Sequence, residues 1–225
     1  MKVRARLIET SIPADPAGVV LVLHGGGSRQ GNMMVSPTQL SVLRMIPIAR
    51  RIARQGHGEL AVFRLLNSVR GWDSKHTPVD DALWAMQQIR RRMGTDLPMC
   101  LVGHSMGGRA AILAAGAAPV HSAVALAPWV YPTDGDIDLG GRKVLIVHGS
   151  ADRIARATNS LAVARTLTRT AEVGYIRIDG GKHAMLRHHR QFDGYTSEFA
   201  LSTLTSHAPT GPVQRVLDGE FLVQV

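Results

Sequence analysis

The sequence predicts an α/β fold built on a mostly parallel sheet of about seven strands, with helices on both faces. Three observations carry this. Short apolar, β-branched runs alternate with helical patterns of 10 to 19 residues, the arrangement expected of repeated βαβ units. The central runs, such as GVVLVL at Gly18–Leu23, are apolar throughout rather than alternating, as strands covered on both faces are. At 225 residues, with 45% hydrophobic and 19% charged side chains, the chain has the size and apolar content for one domain with a large core. That balance excludes general disorder.

Residues 2 to 9 place Val3, Ala5 and Leu7 against Lys2, Arg4 and Arg6, the period-2 pattern of a half-exposed edge strand. A turn at Pro13, Asp15 and Pro16 leads into the strand 18–23, which ends at His24-Gly25-Gly26-Gly27. Residues 37 to 55 carry Leu40, Leu43, Ile46, Ala49, Ile52 and Ala53 at helical spacing, from Pro37 to a stop at Gly56. Pro47 inside that run predicts a kink. A strand follows at 60–66, then a loop over 67–76. Thr77-Pro78-Val79-Asp80 combines an N-cap, proline at the first helical position and an early acidic residue, opening a helix that stops at Gly94.

The alternation then continues with strand 99–102, helix 106–115, strand 121–127, strand 143–147, helix 158–168, strand 173–178 and a final helix over 193–206. Residues 1–210 form a single domain in this reading. Residues 211–225 read as a hairpin-like extension of it, because two strand-like runs flank Asp218-Gly219, a hairpin turn signal. The extension is expected to cap a sheet edge or to pair with a second copy in a homodimer.

The charge balance, 26 basic against 17 acidic residues for a net +9, raises the question of nucleic acid or an anionic surface. The basic residues are spread along the chain, and their densest groups, Arg50, Arg51 and Arg54, then Arg90, Arg91 and Arg92, fall in the last turns of two expected helices, where the helix dipole favours cations. No helix-turn-helix, zinc-finger or stacking-aromatic pattern accompanies them, so no nucleic-acid partner is expected. No apolar run has the length of a membrane span. The alternating, charged start does not resemble a secretory leader, and the lone cysteine, Cys100, allows no internal disulfide. A cytoplasmic setting is the expectation.

Ligands of such sheets collect beyond the carboxyl ends of the strands, and four of those junctions carry reactive groups. Gly103-His104-Ser105-Met106-Gly107-Gly108 lies between a strand and an Ala-rich helix and fits the G-x-S-x-G elbow, where a serine sits on a strained turn whose neighbours must lack a Cβ. His24-Gly25-Gly26-Gly27 offers main-chain N–H groups to a developing oxyanion. Gly26 is the first choice as donor and Gly27 the second, with Met106 N–H as partner. A phosphate cradle fits less well, since neither glycine-rich phosphate motif can be laid on residues 25–31. His148-Gly149-Ser150-Ala151-Asp152 places Asp152 to orient a catalytic imidazole. Gly180-Gly181-Lys182-His183 supplies His183 as general base, with His188 and His189 as rivals by proximity.

His24, Gly25, Trp72, His104 and Trp129 are the candidates for the substrate pocket, although the two tryptophans equally suit packing at its rim. Arg70 and Arg109 either bind an anionic substrate or, more simply, form salt bridges. The histidines 183, 188 and 189 lack the H-E-x-x-H arrangement, so no metal is expected.

Read in order, LHGGG, GHSMGG, HGSAD and GGKH from about Gly18 to His189 make the chain similar to the α/β-hydrolase superfamily, and within it to the small lidless serine esterases that resemble dienelactone-hydrolase-like enzymes. The resemblance implies Ser105 as nucleophile, His183 as base and then acid, Asp152 as its partner, and the N–H groups of Gly26 and Met106 as the oxyanion hole. It also implies a small-molecule ester as substrate and no cofactor. About eight residues separate the first two strands, which leaves little room for the superfamily's usual extra antiparallel strand and favours seven strands over eight. The 127–143 stretch, where relatives insert a lid, is short, so an open site suited to small or short-chain acyl esters is expected. Thioesters and peptides are the alternatives for the same triad, and a non-catalytic binding protein on the same fold is the remaining one.

Overall fold

The computed structural model describes residues 4–26 and 35–225. One sheet of eight strands runs in the order β1-β3-β2-β4-β5-β6-β7-β8. The strands are β1 (Arg6–Ser11), β2 (Gly18–Leu23), β3 (Leu60–Leu66), β4 (Met99–His104), β5 (Val120–Leu126), β6 (Lys143–Gly149), β7 (Glu172–Ile178) and β8 (Leu222–Gln224). Only β1 is antiparallel, pairing with β3 at one edge. The polar alternation that predicts an edge strand therefore holds, with Lys2 and Val3 outside the described residues.

Continuous apolar strands feed two cores because successive side chains point to opposite faces. From β2, Val19, Leu21 and Leu23 enter the core shared with α3 (Thr77–Met93), α4 (Met106–Ala114) and α5 (Ala157–Leu167). Val20 and Val22 enter the other, under α2 (Met45–Gln55), α6 (His189–Leu204) and α7 (Gly211–Leu217).

The helix expected over 37–55 is divided into α1 (Leu40–Leu43) and α2. Proline has no N–H and its ring collides with the carbonyl four residues back. The break at Arg44 puts Pro47 in the first turn of α2, where neither matters. Thr77 is not the cap of α3. Asp73 accepts hydrogen bonds from Thr77 N–H at 2.8 Å and from Thr77 Oγ1–H at 2.6 Å, so the capping carboxylate lies in the preceding loop. Helix α6 opens at His189, four residues before the expected start at Asp193. Arg90, Arg91 and Arg92 do fall in the last turn of α3, whereas of the first cluster only Arg54 reaches the last turn of α2, Arg50 and Arg51 lying in its middle.

The tail departs most from expectation. It is not a hairpin: α7 precedes a single short strand, and β8 runs parallel to β7, which raises the strand number to eight. Val213 and Val216 are the buried residues of α7, an i, i+3 pair whose helical period is easily read as a strand over so short a run. Gly219, at φ 99°, turns the chain into β8, where Val223 is fully buried. Glycine is required at 174 for α7 to lie on β7, because a Cβ there would sit 2.5 Å from Val216 Cβ. Gly174→Val is expected to cost about 1–3 kcal/mol through overpacking and to speed amide exchange across 213–224. Unchanged exchange in that stretch would contradict this placement.

Between β5 and β6 the chain forms one short 3-10 turn, Pro132–Gly135, with no inserted lid.

Candidate active site

Ser105 sits between β4 and α4 with φ 55° and ψ −116°, a strained conformation for a residue with a Cβ. The turn is possible because Gly103 and Gly107 are in mutual backbone contact and Gly107 also lies against the Leu23 and His24 carbonyls. A side chain at either position would push α4 away from the ends of β4 and β2. Ser105 N–H is held by the Leu126 carbonyl at 2.9 Å and its own carbonyl accepts from Trp129 N–H at 3.1 Å, so β5 and its following loop clamp the elbow.

The loops after β6 and β7 meet at a second glycine pair. The backbones of Gly149 and Gly181 touch, leaving no room for a Cβ on Gly149, and Ala151 N–H donates to the Gly181 carbonyl at 3.0 Å. This contact brings Asp152 beside His183. His183 Nδ1 lies 2.8 Å from Asp152 Oδ2 and His183 Nε2 lies 3.0 Å from Ser105 Oγ. Neither His188 nor His189 takes that place.

Asp152 is fully buried at its side chain. Burial alone would push its carboxyl up, but hydrogen bonds from His148 and His183 together with the Ala155 N–H hold it well below the usual carboxylate range. Its other oxygen, Oδ1, accepts from the Ile154 and Ala155 N–H groups at 2.8 and 2.9 Å.

A cavity of about 500 Å³ opens over Ser105, lined by Gly25, Gly26, His104 and His183 and walled by Leu40, Leu43, Pro47 and Leu186. Gly26 admits no side chain, because a Cβ would run into the Arg70 carbonyl and Met106 Sδ. Gly27, the second donor candidate, lies outside the described residues.

Of the pocket candidates, Gly25 and His104 line this cavity, while the other three do not. His24 is buried beneath it. Its Nε2 accepts from Asn67 N–H at 3.1 Å and its Nδ1–H donates to the Gly25 carbonyl at 2.6 Å, so it ties the β2 and β3 loops together. Trp72 and Trp129 flank Arg109 instead, whose guanidinium carbon lies 4.1 Å from the Trp72 ring and 5.6 Å from that of Trp129. Arg109 is itself buried and ion-paired with Asp134, Nε to Oδ2 at 2.8 Å and Nη2 to Oδ1 at 2.8 Å. This cation is therefore committed to a carboxylate rather than to a ligand.

Two residues with no role in the sequence reading stand close to the site. Arg44 Nη2 donates to Asp193 at 2.6 Å and its Nε reaches the Ala184 carbonyl at 3.3 Å, linking α2 to the segment that carries His183. His148 bonds to Asp152 at 3.1 Å. It stands inside the HGSAD motif, and its position at the end of a continuous buried strand was the available signal.

His104 Nε2–H donates to the His183 carbonyl at 2.9 Å. Burial pushes its pKa down to about 3, and burial likewise lowers that of His24, each from 6.5. Below 6.5 the unfolded chain takes up protons that the folded state refuses, so stability is complete above that pH and is lost as pH falls. Between pH 6.5 and 5, urea unfolding is expected to show a loss approaching about 1.4 kcal/mol per pH unit for His104, with a further loss of the same sign from His24. A flat profile there would mean that both rings are charged in the folded protein.

Residues 14–143 match the family described as "serine aminopeptidase, S33". The chain belongs to this family of α/β serine hydrolases. The family match includes Ser105 and ends before Asp152 and His183. Among solved structures, this hydrolase is similar to esterase PE8, at 14% identity and TM-score 0.67 over 91% of this chain and 100% of that one. It is also similar to Est1E from Butyrivibrio proteoclasticus in a structure with ferulic acid bound, at 16% identity and TM-score 0.66, over 89% and 94% of the two chains. A third is XC6422 from Xanthomonas campestris, described as a serine hydrolase without a lid, at 18% identity and TM-score 0.64, over 91% and 90%. At these identities the likeness concerns the fold. No curated protein matches the sequence. Among the described residues, no helix of this hydrolase is long and apolar enough to cross a membrane.

Proposed function

We propose that this serine hydrolase cleaves small or short-chain carboxylic esters through an acyl-enzyme formed on Ser105. The observation that carries the reading is the continuous line of hydrogen bonds from Ser105 Oγ through His183 to Asp152, at 3.0 and 2.8 Å. His183 Nε2 accepts the Ser105 proton as Oγ attacks the ester carbonyl, and the alkoxide of the tetrahedral intermediate lies against the N–H groups of Gly26 and Met106. Met106 is the first residue of α4, so its N–H has no partner within the helix. His183 then gives its proton to the departing alcohol. In the second half it takes a proton from water as that water attacks the acyl carbonyl, and it gives the proton to Ser105 Oγ as the acid leaves, which restores the serine. Asp152 keeps the imidazole proton on Nδ1 throughout and stabilises the imidazolium.

The family description brings forward a second reading, removal of N-terminal residues from peptides. Such a substrate carries an ammonium group, which calls for a carboxylate partner in the site. Among the described residues no acidic side chain lines the cavity, and residues 27–34 contain none in sequence. The walls carry leucines and a proline, and the one charged side chain among the lining residues, Arg44, is paired with Asp193, which suits an uncharged acyl or alcohol group. A cytoplasmic setting fits the lone, buried thiol of Cys100.

A series of p-nitrophenyl esters and aminoacyl p-nitroanilides tests the choice. The highest kcat/KM is expected on acetate to butyrate esters, falling as the chain outgrows the cavity. Faster turnover of the aminoacyl anilides would replace this reading with the peptidase one. Failure of a fluorophosphonate to label folded protein at Ser105 would favour a binding protein without catalysis.

A further inference from the structure

Beyond the three residues that the reaction requires, a buried polar chain runs from Asp152 into the core. His148 of β6 has a fully buried side chain. Its Nε2 lies 3.1 Å from Asp152 Oδ2 and 3.2 Å from the Ala155 carbonyl. Both neighbours are acceptors, so Nε2 carries the proton. The ring's Nδ1 lies 2.8 Å from Ser160 Oγ of α5, and Ser160 Oγ lies 3.0 Å from the Tyr175 hydroxyl of β7. These contacts join Tyr175, Ser160, His148 and Asp152 into one buried polar chain, which the Ala157 carbonyl also enters by accepting from Ser160 Oγ at 3.0 Å. Asp152 Oδ2 is shared by two imidazoles, because His183 Nδ1 reaches the same oxygen at 2.8 Å.

We propose that His148 is a positioning residue that, by donating to the oxygen also used by His183, orients the Asp152 carboxylate and sets how strongly it supports a proton on His183. The proposal rests on the triad reading above. A second donor draws negative charge from Oδ2 and leaves less for the His183 Nδ1–H, so it lowers the basicity of His183. Removing the donor returns that charge, and His183 then holds its proton to higher pH. Ser160 contributes by holding the ring through Nδ1 at 2.8 Å, which keeps Nε2 facing Asp152. An apolar residue at 148 would suffice for burial alone, yet this strand end has a ring with every polar atom satisfied.

Other titratable or charged groups face the pair from several elements. His104 of β4 has its ring 5.0 Å from that of His183. Arg44, between α1 and α2, is paired with Asp193 of α6, and Tyr175 of β7 lies near Arg177 of the same strand.

The test is the pH titration of the His183 Cε1–H resonance in wild type, His148→Phe, His148→Gln and Ser160→Ala. The midpoint is expected to rise by about 0.5 to 1 pH unit in His148→Phe and to return near the wild-type value in His148→Gln, whose amide N–H again reaches Asp152. Ser160→Ala is expected to shift it in the same direction by less, and it decides the matter if His148→Phe does not fold. A wild-type midpoint in folded His148→Phe, or in Ser160→Ala where that protein alone folds, overturns the proposal. The acid limb of kcat/KM for p-nitrophenyl acetate is expected to follow the same midpoints. If wild type hydrolyses no ester, the ester reading fails, while the resonance midpoints still decide the role of His148.

Discussion

Ser105→Ala is expected to lower kcat/KM for p-nitrophenyl acetate by at least about a thousandfold, with the melting temperature close to that of wild type. The reaction loses its attacking oxygen, and among the described residues no other hydroxyl is hydrogen-bonded to His183 Nε2, whose partner is Ser105 Oγ at 3.0 Å. Stability should hold because alanine keeps the Cβ already accommodated at φ 55°. His183→Ala should cost a comparable factor. The double variant should be little worse than either single one, since the two side chains act as a unit. A Ser105→Ala protein that retains the wild-type rate would rule out the acyl-enzyme. Additive losses in the double variant would argue that His183 serves some other step.

Arg109→Ala should have the largest effect on stability while leaving the reacting groups in place. Both side chains of the Arg109–Asp134 pair are less than a tenth exposed, and the guanidinium is also stacked 4.1 Å from Trp72. Removing the cation leaves the Asp134 charge in the interior with Tyr131 N–H, at 2.8 Å, as its remaining donor. Breaking a buried pair in this way costs about 3–5 kcal/mol, which for a chain of this size lowers the melting temperature by roughly 10 °C. Adding Asp134→Leu should recover part of the loss, because the stranded charge disappears with its carboxylate. Lysine at 109 should not rescue, having neither the planar fork nor the stacking face. A drop of only one or two degrees in Arg109→Ala would mean that water reaches Asp134.

The strand ends were the most legible part of the molecule. Continuous apolar runs such as Gly18–Leu23 and Leu60–Leu66 match the observed strands residue for residue, because a strand buried on both faces leaves a pattern that needs no partner to be read. Motifs at those ends were legible for a similar reason, since the chemistry depends on local turns whose glycines are visible in sequence. Helix starts were less so. The cap of α3 comes from Asp73, before the helix begins, and the first turn of α6 carries no cap to mark it.

Trp72 and Trp129 show where local reading stops. Each follows a strand toward the expected site, yet both turn to Arg109, a residue on α4. Nothing in their own segments encodes that choice. The tail fails similarly: two valines at i and i+3 serve a helix or a strand, and their destination depended on the space above Gly174.

The alternation of apolar strands with amphipathic helices, and the order of serine, aspartate and histidine at three strand ends, were already written in the amino-acid order. They follow from backbone periodicity and turn chemistry, which act over a few residues. Only the tertiary structure decided which histidine meets Ser105, which face the tryptophans cover, and that His148 shares an oxygen of Asp152 with His183. Those outcomes depend on distances between segments far apart in sequence, fixed by sheet register and by the contact of Gly149 with Gly181.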